Sequence, residues 1–109
     1  MTIEELRKVR PEIAITVERQ IDEDAKWDFD YAQPVFAVAY VWTVTAYAIV
    51  DGMLHSGVDY LGNSWYNDPN DARTDEDIHG YLPQMIDKAV DGLDENLRLY
   101  KEKTNARHN

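Results

Sequence analysis

From Ala32 to Val50 the chain runs for 19 residues without a charged side chain. No other feature constrains the fold as tightly, because a stretch of this length and character has to be buried somewhere. A membrane span is not expected. Gln33, Thr43 and Thr45 interrupt the run, Asp30 and Asp51 flank it, and no basic cluster marks either end. Pro34 suits the first position of a helix and Gly57 suits a helix stop. Between them Phe36, Tyr40, Val44, Tyr47 and Leu54 form one bulky stripe, and Val35, Val38, Trp42 and Ile49 form a second. Ala37, Ala39, Ala46 and Ala48 leave room for neighbours to approach. This pattern predicts a central helix near 34–55, apolar on most sides and seated in the middle of a bundle. The β-branched and aromatic content also fits two strands with a turn near Thr43–Thr45. No Gly, Asn or Pro marks a turn there, so the helix is preferred.

Thr2 and Glu5 form a capping box that opens a first helix, with Ile3, Leu6 and Val9 on one side. Pro11 ends it near Arg10. Ile13, Val17 and Ile21 fit a helical step, while Ile13, Ile15 and Val17 fit a strand equally well. Asp22-Glu23-Asp24 reads as a turn. Trp27, Phe29 and Tyr31 alternate with Asp28 and Asp30, as in a short strand or an extended linker. Val58 to Thr74 reads as a long loop that Tyr60, Trp65 and Tyr66 can pin. Thr74 or Asp75 caps the next element. From Ile78 through Leu82, Ile86, Ala89, Leu93 and Leu97 to Tyr100 apolar residues then recur at helical spacing, with Pro83 in the first turn of the main helix. The expectation is a mainly α single domain over residues 1–109. It is a small helical bundle in which the central helix packs on a C-terminal helix near 83–103. The alternative is α+β, with strands near 13–17, 27–31 and within 35–50. The first residues are charged and lack the apolar core of a secretory signal, so a cytoplasmic location is expected.

The formal charge is −10, and it is unevenly spread. Residues 1–19 balance. Residues 20–97 carry sixteen acids against Lys26, Arg73 and Lys88, and residues 98–109 are slightly basic. Such a body repels a nucleic-acid backbone and an anionic membrane, so direct binding to either is not expected. With no cysteine, disulfides and thiolate chemistry are excluded. On the last predicted helix Asp87, Asp91, Asp94 and Glu95 share one face, where like charges one turn apart repel by a few tenths of a kcal/mol (~0.2–0.5). With Asp75, Glu76, Asp77 and the 22–24 cluster they make an acidic surface whose spacing is comparable to that of DNA phosphates. The plain alternative is a solvated polar face.

Catalytic and metal-binding patterns are weak. Asp51, His55 and His79 are types that bind zinc or manganese, but no paired His-Glu motif accompanies them, and no metal or other cofactor is expected. The Asp68–Asp75 stretch has a calcium loop's composition without its glycine and terminal glutamate. Asp91, Asp94 and Glu95 resemble half of the acidic motif of all-α, magnesium-dependent nucleotide pyrophosphohydrolases of the MazG type. The other half, near Glu4-Glu5, is incomplete.

Thr74-Asp75-Glu76-Asp77-Ile78-His79, followed by Leu82, Ile86-Asp87 and Ala89-Val90, resembles a helical segment of Ocr-type phage antirestriction proteins, which mimic DNA. This tail is basic where theirs is acidic. The resemblance implies a phage or mobile-element inhibitor of a nucleic-acid enzyme, working in the host cytoplasm. The functional expectation is therefore a non-enzymatic acidic protein of antirestriction or anti-CRISPR type. It binds a protein partner's basic groove through Asp75, Glu76, Asp77, Asp87, Asp91, Asp94 and Glu95. Trp65 and Tyr66 add aromatic anchors, and surplus aromatics (Trp27, Phe29 and Tyr31 among them) favour a protein partner or self-association. A structural adaptor module is the alternative reading and the pyrophosphohydrolase the third.

Overall fold

In the computed structural model, which describes residues 1–108, the uncharged run folds as strand from Val38 to Val50 rather than as helix. The element order is α1 (Ile3–Val9), β1 (Ala14–Ile21), β2 (Val38–Val50), β3 (Met53–Tyr66), α2 (Pro69–Thr74) and α3 (Leu82–His108). The strands form one antiparallel sheet in the order β1-β2-β3. The protein is thus α+β, and neither the mainly α bundle nor the all-α description holds. The physical reason lies at Asp51-Gly52. Both residues take positive φ, 53° and 76°, and Val50 pairs directly with Met53. This is a two-residue hairpin turn, which Asp-Gly forms with little strain and whose twist matches that of the flanking strands. The reversal therefore sits just past the uncharged run, not at Thr43–Thr45. Once it forms, the β-branched and aromatic residues of 38–50 pair on both sides, with Val44 opposite Val17 of β1 and Thr43 opposite Tyr60 of β3.

Alternation along β2 sends Tyr40, Trp42, Val44, Ala46 and Ala48 into the core, where they meet Met85, Ile86, Ala89 and Leu93 of α3. The small residues do serve close approach, but between sheet and helix. Ala46 pairs with Gly57 of β3, against which the backbone of α3 rests, and Ala48 lies two residues further along β2. The helical spacing from Leu82 to Tyr100 is borne out by α3. At the N-terminus, the Glu5 amide donates to Thr2 Oγ1 at 3.1 Å, and α1 ends at Val9 before Pro11. Ala14–Ile21 resolve as strand, 27–31 do not, and 58–66 belong to β3 rather than to a loop.

One irregularity places the site. Between the pairs Tyr40–Ser64 and Trp42–Leu61 the register slips, leaving Gly62 and Asn63 of β3 opposite Val41. Asn63 takes φ 52° in this bulge, a conformation asparagine tolerates better than most residues. Its amide donates to Asp22 Oδ2 at 2.8 Å, and its side-chain oxygen accepts from the Lys26 amide at 3.3 Å and from Trp65 Nε1 at 3.1 Å. The bulge thereby pins the β1–β2 connection, residues 22–37, to the end of the sheet.

Candidate functional site

That end of the molecule collects nearly half of its carboxylates. The C-terminal end of β1, the N-terminal end of β2, the C-terminal end of β3 and the start of α3 all meet there. The segments that join them, residues 22–31 and 67–81, hold ten of the 21 carboxylates against two bases, Lys26 and Arg73. The Asp22–Asn63 and Tyr66–Asp75 hydrogen bonds hold both segments to β3.

The expected binding residues divide into exposed and internally engaged groups. Asp75 terminates α2 and is spent on structure. It accepts from the Tyr66 hydroxyl at 2.7 Å, the His79 amide at 2.9 Å and the Asp77 amide at 3.2 Å. Burial works to raise its pKa, but these hydrogen bonds outweigh burial and hold the carboxyl below its ordinary range. The same bonds shape a turn in which Ile78, His79 and Gly80 all have positive φ, and which swings Ile78 into the core. Glu76 and Asp77 remain exposed in that turn. They precede α3 rather than occupying its first turn, so of the Ocr-like segment only Leu82 to Val90 lies on α3, with Thr74 closing α2.

On α3 the acidic row is largely neutralised. Asp87 pairs with the N-terminal amine at 3.1 Å. Asp94 accepts two hydrogen bonds from Arg10, both 2.9 Å, and Arg98 bridges Glu95 and Glu102, each at 2.5 Å. The guanidinium beside it lowers the pKa of Glu95, and the carboxylates Asp94 and Glu12 raise that of Arg10. Asp91 is the one member of the row without an ion pair among the described residues.

The aromatics divide in the same way. Tyr66 is 6% exposed, accepts from Trp42 Nε1 at 3.1 Å and stacks on His79 at 4.4 Å, so it belongs to the core and not to an exposed anchor. Burial first, and the Asp75 carboxylate second, push its phenol up to about 12. Trp65 instead meets Trp27 edge-on at 5.1 Å, and Trp27 packs against Phe29 at 4.7 Å and Tyr31 at 5.3 Å. The Trp27 indole also donates to the Tyr31 carbonyl at 2.7 Å, which curls residues 27–31 into a knot rather than a strand. Phe29 and Tyr31 stay 49% and 60% exposed, with Asp28 and Asp30 exposed between and beside them. The alternation of aromatic and acid visible in the sequence was the signal for this site.

A cavity of about 330 Å³ opens beside this knot, lined by Phe29, Leu61, Gly62, Asn63, Ser64, Trp65, His79 and Tyr81. A second recess, lined by Asp22, Asp24, Lys26 and Asp28, shares Gly62 and Asn63 with it. Asp51 sits in the hairpin turn, and His55 lies on β3 against Tyr100. Among the described residues no group of three or more His, Asp or Glu side chains converges as a metal ion requires. No helix among them is long and apolar enough to cross a membrane.

Fold and site define an α+β domain with a helix layer on one face of a three-stranded meander and an acidic, aromatic end. No family model matches the chain, and no curated protein and no solved structure matches it.

Proposed function

We propose that this is a non-enzymatic inhibitor that acts in the cytoplasm, its acidic end occupying the basic nucleic-acid site of another protein. A defence enzyme of restriction or CRISPR type is the target class that fits, with a phage or mobile element as the source. The observation that carries the reading is the gathering of ten carboxylates at one end of an elongated, 63 × 29 × 21 Å molecule, interleaved with half-exposed aromatic rings. Solubility requires only that charge be present, and scattered charge serves it as well. Concentrated charge costs stability through self-repulsion, and is useful where it steers a basic partner. The surface nominated is Asp28, Asp30, Glu76 and Asp77 with Phe29, Tyr31 and Trp65. Asp91 is an outlying member, and Asp75, Asp87, Asp94 and Glu95 serve internal contacts. The rival reading, an adaptor module, draws its support from that internal use of the α3 row. The pyrophosphohydrolase reading depended on a helical bundle, and a sheet stands in its place.

The test is retention of a partner from host extract on the immobilised chain, with elution by duplex DNA. A partner released by DNA and by raised salt, and not retained by the variant Asp28→Asn/Asp30→Asn/Glu76→Gln/Asp77→Asn, supports the reading. Equal retention by the variant, or indifference to DNA, overturns it.

A further inference from the structure

We infer that the aromatic cavity beside Trp65 receives a guanidinium group, the head of an arginine side chain on the partner. The inference rests on the acidic-end reading above and names the chemistry that end selects. Two features converge. The cavity walls at Phe29, Trp65 and Tyr81 are aromatic, and its volume of about 330 Å³ exceeds what a guanidinium and the end of its stem fill. The recess holding Asp22, Asp24 and Asp28 adjoins it across Gly62-Asn63, and Gly62 raises no side chain between them. Asp22 is committed to the Asn63 and Asp24 amides, which leaves Asp24 and Asp28 as free acceptors among the described contacts.

Aromatic walls and neighbouring carboxylates ask for a flat cation with several donors. Guanidinium is planar and weakly hydrated, stacks on rings and carries five N–H groups in a fixed fork. An ammonium is compact and strongly hydrated, so it gains less from the walls. A phosphate or a nucleotide is repelled by the same carboxylates. Lys26, at the edge of the acidic recess, is the one lysine or arginine among the residues that line the two cavities, and His79 is their one histidine.

The experiment titrates the full chain with the blocked peptide Gly-Arg-Gly and with its lysine and citrulline counterparts, reading the indole N–H resonances. Trp65 and Trp27 report the cavity, and the buried Trp42 is the internal control. The expected result is a saturable shift at Trp65 with the arginine peptide, no shift at Trp42 and none with citrulline. The lysine peptide should bind about fivefold more weakly. Phe29→Ala, at an exposed loop position, should weaken arginine binding about three- to fivefold, and Asp28→Asn about twofold, with thermal midpoints unchanged. Absence of a saturable shift, or equal shifts with lysine or citrulline, overturns the inference. If the arginine peptide fails while a DNA-displaced partner still binds the acidic end, the cavity assignment falls and the proposed function stands. If the peptide binds and no such partner is found, the reverse holds.

Discussion

Gly57 of β3 and Gly92 of α3 meet backbone to backbone, and the contact is one-sided. A Cβ on Gly57 would overlap the Ala89 carbonyl oxygen and the Leu93 amide nitrogen and lie 2.7 Å from the Gly92 carbonyl carbon. A Cβ on Gly92 would meet nothing nearer than Gly57 Cα at 3.5 Å, an ordinary contact. The helix therefore sits as close to the sheet as it does because position 57 has no side chain. Gly57→Ala should destabilise the protein by about 3 kcal/mol, because helix backbone must move. Gly92→Ala should be neutral or stabilising by up to about 1 kcal/mol, since alanine favours the helix. Urea denaturation of the two variants checks the contrast, and similar losses in both would contradict it.

The carboxylates of α3 should behave as structural groups. Arg10 ties the junction of α1 and β1 to Asp94 through a two-point contact at the surface, with the arginine side chain 33% exposed and the aspartate 44%. Solvent screening limits the worth of such a pair, so Asp94→Asn should cost about 0.5–1 kcal/mol. Asp91→Asn removes only like-charge repulsion and should be neutral or favourable by a few tenths (~0.2–0.5 kcal/mol). Denaturation curves at low salt and at 1 M salt test this, with the Asp94 effect shrinking at high salt.

The Tyr66–Asp75 contact makes stability fall at both pH extremes. The folded pKa of Asp75 lies below its ordinary 3.8, so its contribution is complete above that value and fades as pH falls through the folded one. Tyr66 is shifted up, from 10.0 to about 12, so its contribution is complete below pH 10 and is lost as pH rises towards 12. Tyr66→Phe should flatten the alkaline limb of a stability-against-pH curve. It should also cost about 1–3 kcal/mol at neutral pH, because Asp75 and the Trp42 indole lose a partner. An unchanged alkaline limb in that variant would show that Tyr66 does not govern it.

At the hairpin, Gly52 has φ 76° and open space where a Cβ would stand. Gly52→Ala should therefore cost about 1–2 kcal/mol from backbone conformation alone. Asp51→Asn, which keeps a residue suited to positive φ, should cost less than Gly52→Ala even though Asp51 also accepts from the Tyr100 hydroxyl. Thermal melts of the two variants decide the order.

Several elements are set by local sequence alone. Thr2, Glu5 and Pro11 bound α1, and the spacing from Leu82 to Leu97 makes α3, because capping and helical periodicity act within a few residues. The Asp-Gly turn was equally local, but the apolar run before it satisfies helix and strand burial alike. Its periodicity could not choose, and the missing turn at Thr43–Thr45 pointed the wrong way. The excess of acid between residues 20 and 97 was plain, as was the alternation of ring and carboxylate at 27–31. Which carboxylates are paired within the chain was settled only in three dimensions. Asp87 is neutralised by an amine 86 residues away and Asp94 by a guanidinium 84 residues away. A charge's partner is whatever the fold brings within a few ångströms, and separation along the chain carries no record of it.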